Sequence, residues 1–302
     1  MILSVSRRTD IPSFYSEWFM NRLKEGYVLT KNPMNPTQIS RIELSPETID
    51  CIVFWTKDPA NMMDKLSFLD SMGYSYYFQF TLTPYGKGLE RNLRDKKDIC
   101  RTFGQLSSRL GKDRVLWRYD PIILNDVYTM DFHTKAFTEL CRELQGFTEI
   151  CTISFVDMYQ KLHQSVKNNV IRTISESQMH QLAAELSSIG DRYGLELRAC
   201  CENIDLTSDG IKPASCVDKN IIERICGHSI NVKKDKNQRI GCGCLQSIDI
   251  GIYNTCRHGC VYCYANHSSA SIEKNCNLHD PTSHIMVGEV STDAKIINRM
   301  QK

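Results

Sequence analysis

Short apolar runs and amphipathic stretches alternate along most of the chain. Seven runs are rich in β-branched and aromatic residues: Ile2 to Ser6, Cys51 to Trp55, Tyr76 to Phe80, Val115 to Trp117, Cys151 to Val156, Leu195 to Leu197 and Ser247 to Gly251. This composition predicts strands. Between them Ile99, Phe103, Leu106 and Leu110 fall at helical spacing, as do Met179, Leu182, Leu186 and Ile189, each set giving one apolar stripe. Strand and helix alternating in this way imply a parallel sheet. The expected architecture is an α/β fold built as a full or partial (β/α) barrel, with a doubly wound open sheet as the alternative. Tyr27 to Thr30 and Gln38 to Ile42, separated by the Asn-Pro-Met-Asn-Pro string at 32–36, predict a small hairpin on the first connection. No internal repeat or linker interrupts the pattern. One domain is expected over 1–275, followed by a polar tail over 276–302.

Each strand candidate runs directly into polar residues. Arg7, Arg8 and Asp10 follow the first, Lys57 and Asp58 the second, Arg118 and Asp120 the fourth, Asp157 the fifth and Glu202 the sixth. In a barrel these ends share one face, where loops build a site. Asp58-Pro59 needs no such role, because Asp as cap and Pro at the first helical position simply start a helix.

With 302 residues, 41% of them hydrophobic, the chain can build a core without disulfides. No run is long enough to span a bilayer, and the first residues lack the pattern of a signal peptide, so a cytoplasmic location is expected. Its fourteen cysteines are therefore expected to be reduced and, where clustered, to bind metal. A net charge of +2 gives no argument for nucleic acid or anionic membrane as partner.

The densest chemistry lies in residues 253–266, where Cys256, Cys260 and Cys263 read CxxxCxxC. Three thiolates on so short a loop can wrap one inorganic cluster, with Gly259 permitting the tight turn, and the pattern leaves a fourth iron without a local ligand. An open position is what separates a reactive metal site from a closed one. Zinc is the alternative, with His258 or His267 as further ligands.

This motif, with Tyr262 as the aromatic before its last cysteine, resembles the signature of the radical S-adenosylmethionine (SAM) superfamily. The surrounding residues 254–265 and the Ser-x-x-Thr-Asp string from Ser6 to Asp10 are similar to its spore photoproduct lyase-like branch. Nearly the whole chain also resembles an uncharacterised bacterial family with a cysteine motif near its C-terminus. The superfamily resemblance implies a 4Fe-4S cluster on Cys256, Cys260 and Cys263 whose fourth iron chelates SAM. It also implies a 5′-deoxyadenosyl radical as oxidant and ferredoxin or flavodoxin as electron donor. The usual cluster loop follows the first barrel strand, whereas here it follows the last. The expected barrel is therefore circularly permuted, with Ser247 to Gly251 beside Ile2 to Ser6. Arg8, Thr9 and Asp10 then replace the Gly-Gly-Glu segment that holds SAM in the superfamily, and the candidate SAM contacts are Tyr262, Arg8, Asp10, Arg118 and Asp157.

Six more cysteines precede the motif, and Cys200, Cys216, Cys242 and Cys244 form a candidate auxiliary site for a second iron-sulfur cluster or a zinc. Buried thiols packing as small hydrophobes are the alternative. Cys51, Cys100, Cys141, Cys151 and Cys276 are scattered and read as packing residues. The basic run Lys233 to Arg239 reads as a solvated face. Trp55 and Trp117 sit at strand ends, where an aromatic fills a core more often than it stacks on a ligand. The functional expectation is a radical SAM enzyme acting on a polar metabolite, nucleotide or peptide. An iron-sulfur electron carrier or sensor and a zinc-stabilised binding module are the alternatives.

Overall fold

The computed structural model describes residues 1–32, 35–157, 162, 166–168, 170–239, 241–291 and 294–299. Its strands are β1 (Ile2–Val5), β2 (Tyr27–Asn32), β3 (Asn35–Glu43), β4 (Cys51–Thr56), β5 (Tyr76–Thr81), β6 (Val115–Ile122), β7 (Ile150–Phe155), β8 (Glu196–Ala199), β9 (Lys212–Pro213), β10 (Ile248–Asp249) and β11 (Lys295–Asn298). Its α-helices are α1 (Ile11–Phe14), α2 (Ser16–Glu25), α3 (Leu66–Ser71), α4 (Lys96–Leu110), α5 (Met130–Leu144), α6 (Glu176–Arg192), α7 (Lys219–Cys226) and α8 (Ser269–Asn277).

Eight strands form one parallel sheet in the order β10-β1-β4-β5-β6-β7-β8-β9. Apart from β10 at one edge, the order follows the chain, so it has no switch point and the connecting helices stack on one face. This removes the doubly wound alternative. Alternation along the strands supplies that face. Leu3, Val5, Ile52, Phe54, Phe78 and Trp117 pack with Phe19 of α2, Leu69 of α3, Phe103 of α4, Phe137 of α5 and Leu186 of α6. The intervening Ile2, Cys51, Val53, Tyr77 and Leu116 point the other way and are covered by Ile221 and Ile222 of α7 with Cys216, Val217, Cys244 and Leu245. Both faces are buried, which is why strands such as Cys51–Thr56 read as continuous apolar runs.

The helices start as their sequences dictate. Ser175 and Gln178 form a reciprocal capping box at α6, and Asp95, Thr129 and Asp218 cap α4, α5 and α7. Gly190 is needed at the end of α6, because a Cβ there would stand 2.2 Å from Leu197 of β8.

The full barrel expected from the alternation does not form. The edges β9 and β10 are two residues each and do not pair with one another. Pro213 lacks an amide hydrogen, and the face a barrel would enclose is filled by the segment from Cys216 to Leu245. The expected neighbourhood of last and first strands is present, Leu3 pairing with Ile248 and Ser4 with Asp249.

β2 and β3 form the expected hairpin. The described residues of 276–302, read from the sequence as a polar tail, instead pack against α2 and this hairpin. The Trp18 indole N–H donates to Ser283 O at 2.9 Å, and the fully buried Arg22 donates to Thr282 O at 2.8 Å. Met286 is buried in the main core, and β11 pairs in parallel with β3. The short apolar run Ile285-Met286-Val287 anchors this return and was too brief to stand out from its polar neighbours. Among the described residues no helix is long and apolar enough to cross a membrane.

Candidate functional site

The C-terminal ends of the strands open into a cavity of about 1400 Å³. Loops after β1, β4, β6, β7, β8 and β10 all contribute to its wall, and the hairpin and β11 add Lys31, Gln38 and Asn298. Cys256, Cys260 and Cys263 line it, and so do Cys200, Cys216, Cys242 and Cys244.

The loop 253–266 begins just past β10 and is braced from three sides. Asn92 N–H donates to His258 O at 3.0 Å, its side-chain amide donates to Arg257 O at 2.8 Å, and Val261 N–H donates to Leu89 O at 2.9 Å, so the segment after β5 carries the loop as an antiparallel partner. From below, the Tyr15 hydroxyl donates to Thr255 O at 2.6 Å. Within the loop, Asn266 donates to Cys256 O at 2.8 Å. Gly259 adopts φ +69°, and a Cβ there would lie 3.0 Å from the Asn92 amide, so glycine is favoured between the thiols on both counts.

Asp10 acts from within the protein rather than toward a ligand. Oδ1 accepts from Ser13 N–H at 3.0 Å as cap of α1, while Oδ2 accepts from Lys57 N–H at 2.7 Å and contacts His258 Nε2 at 2.8 Å. The carboxylate thus locks the loop histidine to the ends of β1 and β4. The other ring nitrogen, His258 Nδ1, is buried without a hydrogen-bond partner.

Beside Cys260 lies a charge network that sequence reasoning missed. The Glu90 side chain is fully buried and accepts from Lys57 Nζ at 2.7 Å, from Thr83 Oγ1 at 2.8 Å, and from Lys96 and the Tyr262 hydroxyl. Burial alone would raise its carboxyl, but the two ammonium groups outweigh it and hold the group at about 2. Burial pushes the Cys260 thiol up to about 12, against the pull of Lys57, and raises Cys256 as well. Metal coordination would deprotonate both. Nothing local marks Glu90 in the sequence: Thr83 and Lys96 flank it, but Lys57 and Tyr262 come from distant segments.

The other candidates are dispersed around the cavity. Arg8 lies over the Tyr253 ring at 5.4 Å and reaches Gly251 O at 3.4 Å. Arg118 donates to Cys216 Sγ at 2.9 Å and pairs with Asp120, with its guanidinium 5.3 Å from the Trp55 ring. Asp157 pairs with Arg239 of the basic run, whose residues Lys233 and Asp235 are also tied to the backbone of Gln246 and Cys244. Trp55 lines the cavity, whereas Trp117 is buried in the core and stacks on Phe137. Asp249, another residue not singled out from the sequence, accepts from Ser4 and Ser6 hydroxyls and from Arg7 and Gly251 N–H groups, joining β1 to β10 immediately before the loop.

None of the fourteen cysteines is joined in a disulfide. Among the described residues no group of three or more His, Cys, Asp or Glu side chains is spaced to hold a metal ion as it stands. A cubane cluster is a different demand. It takes each thiolate at a different corner, so its ligands surround a larger volume than one ion occupies. Three half-buried thiols of one loop fit that demand in donor type, and all three line one cavity.

The molecule is thus an α/β protein with a singly wound parallel sheet and a thiol-rich cavity at the strand ends. The chain belongs to the family described as Domain of unknown function (DUF1848), whose family model matches residues 2–265 and so takes in the sheet and the cysteine loop together. This agrees with the resemblance to an uncharacterised family seen in the sequence. No curated protein matches the chain.

Proposed function

We propose that this protein is a radical SAM enzyme carrying a 4Fe-4S cluster on Cys256, Cys260 and Cys263, on a partial, circularly permuted (β/α) barrel. The observation that carries the reading is the position of one CxxxCxxC loop. It leaves β10, the strand that lies beside β1, and turns its three thiols onto a large cavity at the C-terminal strand ends. When bound, the cluster would pass an electron to the sulfonium of SAM, yielding methionine and a 5′-deoxyadenosyl radical.

The chain's own residues support that chemistry by holding and shielding. Tyr262, fixed through its hydroxyl to Glu90, keeps its ring beside the Cys260 thiol and against Tyr85, where an adenine can stack. Lys57, 5.5 Å from that ring centroid, keeps a positive charge near a dianionic cluster. Arg8 offers a guanidinium to the carboxylate of SAM, a role its weak 3.4 Å contact permits. Asp10 is a positioning residue that works through His258. Arg118 and Asp157, each tied to a protein partner, shape the wall on the substrate side. The mixed Arg and Asp lining suits a polar substrate, and ferredoxin or flavodoxin would supply the electron.

The test is anaerobic reconstitution with iron and sulfide, followed by dithionite and SAM. 5′-Deoxyadenosine is expected, together with a change in the EPR spectrum of the reduced cluster on adding SAM, and both are lost in Cys260→Ala. A fully loaded sample that yields no 5′-deoxyadenosine and an unchanged spectrum overturns the reading in favour of an electron carrier or sensor. Zinc without iron or sulfide overturns it in favour of a zinc-stabilised module.

A further inference from the structure

Outside the CxxxCxxC loop, three further segments bring thiols together at the wall of the cavity. Cys200 follows β8, Cys216 follows β9, and Cys244 precedes β10. Cys216 Sγ lies 2.9 Å from Cys200 Sγ, and Cys244 Sγ is 3.2 Å from the backbone nitrogen of Cys216. Donors are aimed at the sulfurs rather than away from them. The Cys216 N–H donates to Cys244 Sγ at 3.2 Å, and the Arg118 guanidinium donates to Cys216 Sγ at 2.9 Å. Such donors stabilise the thiolate form, which is the form that binds metal.

The backbone is shaped for this meeting. Gly243 separates Cys242 from Cys244, and a Cβ there would stand 2.4 Å from Ser215 Oγ, so the two segments pass closely where Cys244 meets Cys216. Leu245 N–H to Val217 O at 3.0 Å and Asp235 N–H to Cys244 O at 2.9 Å fix the crossing. Cys216, Cys242 and Cys244 are 5%, 6% and 3% exposed, so a small thiophilic ion would be screened from bulk water.

We propose that Cys200, Cys216 and Cys244, completed by Cys242, form a second metal centre, a four-thiolate site for a soft metal taken as a zinc ion or as an iron-sulfur cluster. Ordinary buried thiols have no need of a guanidinium, and a disulfide between Cys200 and Cys216 would leave the Arg118 donor without a thiolate to serve. Zinc–sulfur bonds of about 2.3 Å at tetrahedral angles hold sulfurs roughly 3.8 Å apart, so Cys200 and Cys216 open by roughly 0.9 Å on binding. The site also explains why Arg118 is held by Cys216 and Asp120, for it is the counter-charge of this centre.

The full chain carrying Cys256→Ala, Cys260→Ala and Cys263→Ala tests this independently of the radical SAM reading, because it lacks the first set of thiols. Purified without oxygen, it is expected to retain zinc, or iron with acid-labile sulfide, and the elemental analysis tells the two apart. Adding Cys216→Ser abolishes that metal. Cobalt(II) titrated into the stripped triple variant gives a thiolate-to-cobalt charge-transfer band, and Arg118→Met weakens cobalt binding by roughly 10- to 100-fold. Should Cys216→Ser not fold, the triple variant itself decides, since Cys200, Cys216 and Cys244 then resist iodoacetamide until a chelator is added. A folded triple variant with no metal and no charge-transfer band overturns the proposal. So does labelling indifferent to chelator, or a Cys200–Cys216 disulfide in the anaerobic protein.

Discussion

The Ser6 hydroxyl donates to Asp249 Oδ1 at 2.6 Å, linking residues 243 positions apart at the junction of the first and last strands of the sheet. Both carboxylate oxygens are saturated by donors from Ser4, Ser6, Arg7 and Gly251. An amide at this position turns one acceptor into a donor facing other donors. Asp249→Asn is therefore expected to cost about 2–3 kcal/mol of unfolding free energy in urea, hydrogen bonds to a charged acceptor being the strong ones. A loss below about 0.5 kcal/mol, the range of ordinary surface changes, refutes the role given to this residue.

Glu90 offers a second measurement. Replacing its carboxylate by an amide leaves Lys57 and Lys96 in a buried setting without a counter-charge, and Glu90→Gln should destabilise by about 3–5 kcal/mol. The penalty belongs to the stranded cations, so Glu90→Gln combined with Lys57→Met should be less destabilised than the sum of the single changes. A double-mutant cycle that comes out additive contradicts the network.

Gly259 separates two costs that alanine would impose. At Gly73, with φ +80° and nothing within 4 Å of where a Cβ would stand, alanine meets only the strain of the left-handed backbone. At Gly259, with φ +69°, it also drives into Asn92 and Arg91. Gly259→Ala should lower stability by about 1–2 kcal/mol and reduce the iron retained by anaerobic protein. Gly73→Ala should leave the iron content unchanged. Equal iron in the two variants argues against a built loop.

His133 sets a pH dependence remote from the cavity. Its Nδ1 contacts the Tyr119 hydroxyl at 2.7 Å and its Nε2 contacts Ile123 O at 2.9 Å, an arrangement satisfied by the neutral ring. Burial lowers its protonation to about 4, against 6.5 in the unfolded chain. Between those values the unfolded chain binds a proton that the fold refuses, so stability falls as pH drops from 6.5 to 4 and does not depend on this group above 6.5. Urea unfolding should show a loss of about 2 kcal/mol between about pH 7 and about pH 5 from this group. His133→Gln should flatten that slope, and an unchanged slope would count against the assignment.

The strands and the two amphipathic helices were legible because both faces of the sheet are covered, which leaves runs such as Cys51 to Thr56 apolar throughout. Closure was not legible. It depended on β9 and β10, whose two-residue lengths and exposed Pro213 carry no periodic signal. The cysteine loop announced itself by spacing alone. Asp10 was found for its charge, yet its role as a brace on His258 emerges only when positions 10, 57 and 258 are seen together. Glu90 and Asp249 stayed hidden for a similar reason, as Lys57 and Tyr262 reach the one, and Ser4, Ser6 and Arg7 the other, from far away in the chain.

The size of the cavity has its own consequence. Pockets for a single drug-sized molecule occupy about 300–1,000 Å³, and the space at the strand ends exceeds that at about 1400 Å³. That volume leaves room for more than one small molecule, so a ligand that fills only part of it leaves the rest of the cleft to water.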